Sequence, residues 1–325
     1  MSTALNSVWN DVVRGDLQSA LATANAIDPQ TLSSVQRDQL KTFFRRTKEG
    51  VLEDNGELEA LPEVMASLIR IYRAYWLEAL KAEDHNEAEP GLRAALGAYL
   101  EMPGADWPEI ADAITKRTRD AGYIVLQGCT LPLFEFMAWK TQGVEHFEIA
   151  LPHGQTRLPV RMLRGFVSYG WCRFLTGNAR GTGGWVADDH LCCLEEFWDT
   201  SNEGFKVSYL GHEAQHHSDR QELPWLEQPE LEYRAKLTEL VLATETQRNL
   251  LTRFGQSHTD TVRQGSLPAR HISPHTLGEY WLIGDLEALV GCGWESMEPD
   301  ALRKHGRRLL LQSRQRDWRG CPEQA

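Results

Sequence analysis

The sequence predicts an α+β fold, because helical and strand-like patterns occupy different parts of the chain. Residues 1–120 carry apolar side chains at helical spacing, and after residue 121 the pattern changes to short strand-like runs with glycine turns. Helical spacing returns after residue 205. Helices and strands that are segregated along the chain are typical of the α+β class. A chain of 325 residues is long enough to bury a sizeable core.

The N-terminal region, residues 1–120, is predicted to be helical throughout. Its breaks each contain proline, which ends or begins helices, and lie at residues 28–29, 89–91 and 102–104. Its longest amphipathic run covers residues 61–81. The apolar positions of that run, which we assign to a core, include Leu68, Ile71, Tyr72 and Tyr75. No repeat of about 30–45 residues appears, which argues against a helical-repeat array.

A small, largely antiparallel sheet is predicted next. Residues 147–151 and 158–162 are strand-like and flank a Pro-His-Gly turn, as in a β-hairpin. Residues 166–174 and 184–186 are also strand-like, and the glycine run between them lacks the lysine-serine signature of a phosphate loop. Two interpretations of the glycines at 183 and 184 stay open: an edge strand that a substrate backbone approaches closely, or a flexible surface loop.

Two helices are predicted after the sheet. The first covers residues 207–218, and Pro224 and Pro229 require it to end and the chain to turn. The second begins near Pro229 and is expected to continue for five or more turns. Its apolar positions are Leu237, Leu240, Val241, Leu250 and Leu251. The C-terminal part, from about residue 256, is expected to be mostly helical, with residues 277–290 its most regular stretch.

The most informative stretch is residues 212–217, which read His-Glu-Ala-Gln-His-His. In a helix, His212 and His216 project from one face and are close enough to bind one metal ion. Glu213 can reach a water molecule on that metal without being a ligand itself. This is the HExxH arrangement of zinc metallopeptidases. The competing interpretation is a structural histidine pair on a surface helix.

A third ligand is expected from the second helix. A helix antiparallel to the first presents Glu232 to the metal, and Ala235, one turn later, is small enough to let the helices approach closely. Glu230 and Glu239 are the alternatives. Glu239 is equally suited to orient a histidine ring from behind.

The HExxH motif followed by a Glu-x-x-Ala helix, Glu232 to Ala235, resembles the gluzincin branch of the zincin metallopeptidases. The resemblance covers about residues 140–250 and implies that His212, His216 and Glu232 bind one Zn²⁺ per chain. It further implies that Glu213 is the catalytic base. Many gluzincins carry an aspartate four residues after the ligand glutamate, where this chain has Lys236. The resemblance therefore does not identify the residue that orients the ring of His212.

The resemblance also extends upstream and implies a domain organisation. Gly183, Gly184 and Trp185 lie in a segment that resembles the substrate-binding edge strand of zincins. We therefore expect a zincin-like domain over residues 121–325, with a helical C-terminal subdomain from about residue 256. The sheet is expected to pack on the metal-binding helix, and the cleft to lie between that helix and the edge strand.

Peptide hydrolysis explains why these residue types occur together. Two imidazoles and one carboxylate leave zinc with a net positive charge, which lowers the pKa of bound water towards ~7. Glu213 then takes a proton from that water and delivers it to the leaving amine. The developing negative charge on the substrate needs one more donor. The candidates for that donor are His271, His275 and Tyr280.

Two other functions would also place histidine and glutamate residues in this pattern. A catalytically inactive zinc-binding interaction or regulatory protein is the alternative, although the intact Glu213 argues against it. A di-iron carboxylate protein needs a second Glu-x-x-His on another helix, and the sequence contains none.

Composition excludes several classes of partner and compartment. The net charge of −12 argues against nucleic-acid or anionic-membrane binding, and the basic stretch at residues 303–308 is short. No secretory signal is visible in residues 1–21, and no apolar run approaches a membrane span. The six cysteines form no CxxC pair or regular framework. We therefore expect a cytoplasmic protein with reduced cysteines that acts on a peptide or protein substrate.

Overall fold

The computed structural model describes residues 3–52, 56–130, 132–187, 189–263, 273–291 and 294–316. Over these residues it confirms the α+β class, with twelve α-helices and one mixed five-stranded sheet. The helices are α1 (Thr3–Val13), α2 (Leu17–Asn25), α3 (Ser34–Glu49), α4 (Glu63–Ala79), α5 (Glu89–Leu100), α6 (Trp107–Asp120), α7 (Trp171–Thr176), α8 (His212–Glu222), α9 (Gln228–Leu242), α10 (Gln247–Arg263), α11 (Pro274–Val290) and α12 (Pro299–Ser313). None of these helices combines the length and apolarity needed to cross a bilayer.

The sheet has the strand order β1-β2-β3-β5-β4. Its strands are β1 (Ile124–Thr130), β2 (Leu133–Leu151), β3 (Gly154–Tyr169), β4 (Gly184–Val186) and β5 (Leu191–Leu194). β1 is antiparallel to β2, and β4 is antiparallel to β5. The predicted hairpin and the predicted strand at residues 184–186 are confirmed, and β4 lies at one edge of the sheet.

The prediction of a strand over residues 166–174 is wrong in its second half. β3 ends at Tyr169, and Gly170 turns the chain into α7. Gly170 has a φ of 89°, a conformation that side chains other than glycine rarely adopt. A Cβ at this position would also lie 2.3 Å from Oε1 of Glu135. The strand therefore ends where a buried carboxylate and a left-handed turn both require glycine.

The chain divides into two compact units. The first comprises Met1–Thr141 and Leu163–Thr182, and the second comprises Gln142–Met162 and Gly183–Ala325. The first unit contains the six helices of the predicted helical region 1–120, together with β1, α7 and parts of β2 and β3. Its core includes Trp9, Phe43, Trp76 and, as the helical spacing predicts, Leu68 and Tyr72 of α4.

The second unit has two apolar clusters. One is formed mainly by α9 to α12, and its largest members are Trp281, Trp294 and Tyr233. The other joins the end of the β2–β3 hairpin and β5 to a π-helical segment, Phe205–Gly211, that runs directly into α8. Ala214 of α8 belongs to this second cluster. The helix that carries the histidine motif is therefore packed on the sheet through its apolar side.

The second predicted helix is shorter than expected, because α9 ends at Leu242 and Leu250 and Leu251 belong to α10. The carboxylate of Glu203 explains the break. It accepts hydrogen bonds from the backbone and the hydroxyl of both Thr244 and Thr246. These bonds stabilise a non-helical connection, and no local sequence pattern signals a partner about forty residues upstream.

Glu135 of β2 makes the stability of the first unit depend on pH. Burial raises the pKa of Glu135 from 4.5 to about 7, although the backbone N–H groups of Phe136 and Trp171 donate to it. Because the folded-state pKa is the higher one, the folded protein binds the proton more tightly. Stability from this group is present at acidic pH and is lost as pH rises from about 4.5 to about 7.

We predict that Glu135→Gln removes this pH dependence of the unfolding free energy. The wild type should lose about 3 kcal/mol of unfolding free energy from this group between pH 4.5 and 8, and E135Q should not. The measurement is denaturant unfolding at pH 5 and pH 8 for both proteins. Glu145→Gln, an exposed position on the same strand, is the control and should follow the wild type. An equal pH effect in E135Q and E145Q would contradict the prediction.

Candidate metal centre

Helix α8 begins at His212, directly after the π-helical segment, and buries both histidines of the motif. Nε2 of His216 lies 3.0 Å from Nε2 of His212. The rings are nearly perpendicular, at 84°. The four-residue spacing thus brings the two Nε2 atoms together, as the helical interpretation of the motif predicts.

Glu232 of α9 faces the same point. Its Oε1 is 3.3 Å from Nε2 of His216, and its Oε2 is 3.4 Å from Nε2 of His212. Ligand atoms about 2.0–2.1 Å from a tetrahedral zinc ion lie about 3.3–3.4 Å from one another. The two histidine–glutamate distances match that edge length, and the histidine–histidine distance is slightly shorter. The donor set of two imidazoles and a carboxylate is also one that zinc prefers.

His275, near the start of α11, is the fourth group at this point. Its Nδ1 lies 2.6 Å from Oε2 of Glu232, and His212, Glu232 and His275 together have the spacing of a metal site. Oε2 of Glu232 is buried, and neither of its close nitrogen contacts has hydrogen-bond geometry. The side chain of His275 is 63% exposed, in contrast to the buried His212 and Glu232. His275 therefore forms the solvent side of the cluster.

A close approach of α11 to α9 explains how His275 reaches Glu232. A Cβ at Gly278 would lie 2.7 Å from the backbone nitrogen of Tyr233 and 3.0 Å from Cβ of Glu232. Only glycine leaves room for the helices at this distance. His275 lies one turn before Gly278 and so projects beside the Glu232 carboxylate.

Glu239 supports the ring of His212. Its Oε1 accepts a hydrogen bond from Nδ1 of His212 at 2.8 Å and another from Nζ of the buried Lys236 at 2.9 Å. Because an ionised carboxylate can only accept, Nδ1 of His212 carries a proton, and Nε2 is the ring nitrogen that faces His216 and Glu232. Carboxylates often orient metal-binding histidines in this way. Lys236, the departure from the gluzincin pattern, is the counter-ion of this carboxylate.

The charged groups of the cluster shift one another's pKa values. Burial disfavours the charge on Glu232, but the imidazoles of His275 and His212 outweigh it and hold the pKa of Glu232 well below its usual range. Burial likewise opposes the charge on Glu239, whereas Lys236 and His212 lower its pKa. Burial and Lys236 disfavour protonation of His212, yet Glu232 and Glu239 raise the pKa of His212 to about 9. A metal ion at Nε2 would therefore displace a proton.

A second group of buried polar side chains fixes α8 against α9. Arg234 donates two hydrogen bonds to Asp219, at 2.8 and 2.9 Å. One turn closer to the motif, Thr238 donates to Gln215, which in turn donates to Asp219, both at 2.8 Å. These pairs run in opposite directions along the two helices, so α8 and α9 are antiparallel, as predicted. Their register determines that Glu232 faces His212 and His216.

Glu213 follows His212 on α8 and is partly exposed. Its charge acts on Tyr209 of the π-helical segment. Burial raises the pKa of Tyr209, and the charges of Cys193 and Glu213 raise it further. The ring of Tyr209 also approaches Gly184 of β4, and α8 packs against β4. Tyr209 therefore lies beside the edge strand and is also affected by the charge of Glu213.

The packing around the two glycines gives a reason for them that the sequence did not suggest. A Cβ at Gly184 would lie 2.3 Å from the ring of Tyr209 and 2.3 Å from the carbonyl oxygen of Cys192. A Cβ at Gly183 would lie 2.9 Å from the ring of Trp198, whose Nε1 donates to the Gly183 carbonyl. Packing within the unit therefore requires both glycines, with no need for a substrate backbone. Substrate binding by Gly183, Gly184 and the half-buried Trp185 stays a prediction.

Three other candidates are placed as follows. Glu230 is buried two residues before Glu232 and so projects from the opposite face of α9. The ring of Tyr280 stacks on His258 of α10, with centroids 4.8 Å apart. His271 lies outside the described residues.

The ion pair that sets the helix register was missed from the sequence. Asp219 is seven residues after His212, and Arg234 is two residues after Glu232. Helical spacing places Asp219 on the face of His212 and His216, which was the available signal. Which cation it pairs with depends on the register of α9, and a single sequence does not contain that information.

Comparisons with known proteins add no relatives: no family model matches the chain, and neither the curated proteins nor the solved structures contain a significant match.

We predict that Asp219→Ala destabilises the second unit strongly. The substitution leaves the buried Arg234 guanidinium without its carboxylate, which should lower the free energy of unfolding by about 3–5 kcal/mol. Glu222→Ala is the control, because Glu222 is on the same helix but its pair with Arg314 is exposed. That change should cost at most about 1 kcal/mol. Chemical denaturation measures both, and equal losses would refute a structural role for the buried pair.

Proposed function

We propose that the protein is a zinc-dependent peptidase with a gluzincin-like centre. The observation that carries this proposal is the convergence of Nε2 of His212, Nε2 of His216 and the Glu232 carboxylate at separations of 3.0–3.4 Å. All three groups are buried, and Glu239 holds the first imidazole in the tautomer that a metal needs. A zinc-binding regulatory protein would use the same three ligands, so the proposal rests additionally on Glu213.

His212, His216 and Glu232 would hold the ion. A bound zinc ion supplies Lewis-acid activation of water and of the scissile carbonyl. Glu213 would accept the proton of the attacking water on its carboxylate and pass it to the leaving amine. Its partial exposure suits this role, because a base must reach solvent or substrate, whereas the ligands need not.

The edge strand β4 offers a place for an extended peptide. β4 is the last strand in the sheet order and packs beside α8. A peptide that adds to an open strand edge gains main-chain hydrogen bonds without any sequence requirement. We therefore propose that the substrate is a peptide or an unfolded protein segment bound along Gly184–Val186.

His275 separates the peptidase from the alternative function. Catalytic zinc sites keep one position open, whereas structural sites have four protein ligands. If His275 were a fourth ligand, the centre would be closed, as expected of an inactive zinc-binding regulatory protein. Because His275 is largely exposed, we propose instead that it is the donor to the developing negative charge on the substrate.

We also propose that the protein acts in the cytoplasm and does not bind nucleic acid. Cys129, Cys172, Cys192 and Cys193 are free thiols, as is usual in a reducing compartment. The net charge of −12 disfavours contact with a polyanion.

Metal content tests the centre. We predict about one zinc per chain in the wild type by elemental analysis. His212→Ala and Glu232→Ala should lose it, because each removes a buried ligand, and Glu230→Ala should keep it because Glu230 projects from the other face of α9. In the same series, His275→Ala should retain zinc.

The outcomes separate the hypotheses. No metal in the wild type after zinc is supplied would remove the centre and the enzyme proposal with it. Loss of zinc from H275A, to the extent seen in H212A, would favour a closed site and the regulatory alternative. Loss from E230A but not E232A would transfer the third ligand to Glu230.

Hydrolysis tests the base. We predict that Glu213→Gln retains zinc while its cleavage of a fluorogenic peptide library falls at least about 100-fold, because the general base is lost. Glu222→Gln, on the same helix but outside the centre, should cleave like the wild type. Undiminished cleavage by E213Q would refute the assigned mechanism. A zinc-loaded wild type that cleaves no peptide in the library would leave the regulatory function as the better proposal.

A further inference from the structure

The solvent side of α12 concentrates positive charge that the proposed peptidase function does not use. With 3.6 residues per turn, the exposed residues of the helix and of the turn after it fall on one side that is about 120° wide. We call this surface the basic face, and its residues are Lys304, Arg307, Arg308, Leu311, Arg314 and Gln315. The opposite side of α12 is buried, and the helix packs against α9. The basic face is therefore the side of α12 that is available to a partner.

Three cations of the basic face are Lys304, Arg307 and Arg308. All three are exposed, and none forms an ion pair with another residue that the structure describes. Because they are hydrated, they need no partner for the stability of the fold. Cations at spacings of three and four residues along a helix are neighbours, so their potentials add at the surface. The basic face can therefore attract an anion without any rearrangement of existing ion pairs.

Two ion pairs at the ends of the helix leave this charge unchanged. Arg314 pairs with Glu222 of α8 at 2.6 Å, and Asp300 in the first turn pairs with Arg303. Each pair is neutral, so the three cations give this surface a net charge of +3. That sign is opposite to the net charge of −12 of the whole chain.

Two exposed apolar side chains border the same surface. Leu311 is 69% exposed and lies one turn before Arg314. Trp225 is 66% exposed and follows Glu222, the partner of Arg314, by three residues. They are two of the five large apolar side chains that are exposed in the described part of the chain. One end of the basic face thus offers apolar contact area beside its positive charge.

The basic face is fixed in place by the contacts of the buried side of α12. Nη1 of Arg234 donates to the carbonyl of Leu310 at 3.1 Å, and Nη1 of Arg303 donates to the carbonyl of Ala243 at 3.1 Å. A Cβ at Gly306 would lie 3.0 Å from a methyl group of Val241, so the two helices are in close contact. A surface that is already ordered loses little backbone entropy when it binds a partner.

The dimensions and the overall charge favour a short acidic segment over an extended anion. Lys304 and Leu311 are about 10 Å apart along the helix axis, which an extended peptide spans in about three residues. Charges are screened beyond about 8 Å at physiological salt, so a short segment senses mainly the basic face. A nucleic acid or an anionic membrane would also meet the acidic remainder of the protein. An interfacial helix inserts its apolar side into a membrane, whereas that of α12 is buried.

We propose that the basic face, together with Trp225, binds an acidic segment of a partner protein. The segment carries three or four aspartate or glutamate residues, which pair with Lys304, Arg307 and Arg308. An apolar residue that follows them contacts Leu311 and Trp225. This surface is formed by α12 and by the turn after α8, and it does not include the proposed metal ligands.

Fluorescence anisotropy with a labelled peptide of four glutamates followed by leucine and phenylalanine tests the surface. Arg307→Gln with Arg308→Gln should weaken binding at least about fivefold, because two cations are lost. The matched control is Lys41→Gln with Arg93→Gln, which removes two exposed cations of the first unit and gives the same net charge. It should change the affinity less than about twofold. Trp225→Ser should weaken binding about threefold.

The remaining probes decide between partners. A peptide with glutamines in place of the glutamates should bind at least about tenfold more weakly, and His212→Ala should leave the affinity unchanged. Loss of binding in H212A would assign the peptide to the metal centre and overturn the proposal. Equal affinity in R307Q/R308Q and K41Q/R93Q would overturn it too, as would no binding of the acidic peptide up to about 1 mM. Tighter binding of single-stranded DNA or of phosphatidylserine vesicles through Arg307 and Arg308 would replace the acidic segment by that partner.

Discussion

Helices α8 and α9 are held together by charged side chains that water hardly reaches. Arg234 donates two hydrogen bonds to Asp219, and Glu239 accepts from His212 and Lys236. A buried charge is tolerated only where its partner is present in good geometry, so these contacts permit one register of the two helices. The same register sets Glu232 opposite both motif histidines. The geometry of the centre is thus a consequence of ion pairs that are not themselves part of it.

Whether a feature of this fold could be predicted from the sequence depends on how far apart in the chain the residues that determine it lie. The spacing of His212 and His216 and the start of α9 beside Pro229 are local, and helical geometry converts them directly into positions. The end of α9 depends on Glu203, about forty residues away, and no pattern within the helix reveals it. Glu239 was one of three glutamates that the sequence offered as a metal ligand or as the partner of a histidine ring. Choosing among them requires the register of α9 against α8.

The glycines and Lys236 show how one observation supports different explanations. A resemblance to zincins suggested that Gly183 and Gly184 admit a substrate, whereas Trp198 and Tyr209 already fill the space beside them. The same resemblance left the first histidine without an acidic partner, since Lys236 occupies the expected position. One turn further on, Glu239 supplies that acid, and Lys236 becomes the cation that makes its burial tolerable. A buried carboxylate at this position can therefore orient the histidine, because its charge is paired with that of Lys236.

The charges of the candidate metal centre favour a cation there. With neutral imidazoles, Glu232, Glu239 and Lys236 leave the metal centre with a net charge of −1, and it is this excess that raises the pKa of His212 to about 9. A proton on His212 neutralises this charge, whereas a divalent cation would leave the centre with a net charge of +1, which is the condition for Lewis-acid chemistry. This imbalance is not visible in the overall charge of −12, because it arises from where folding places a few side chains.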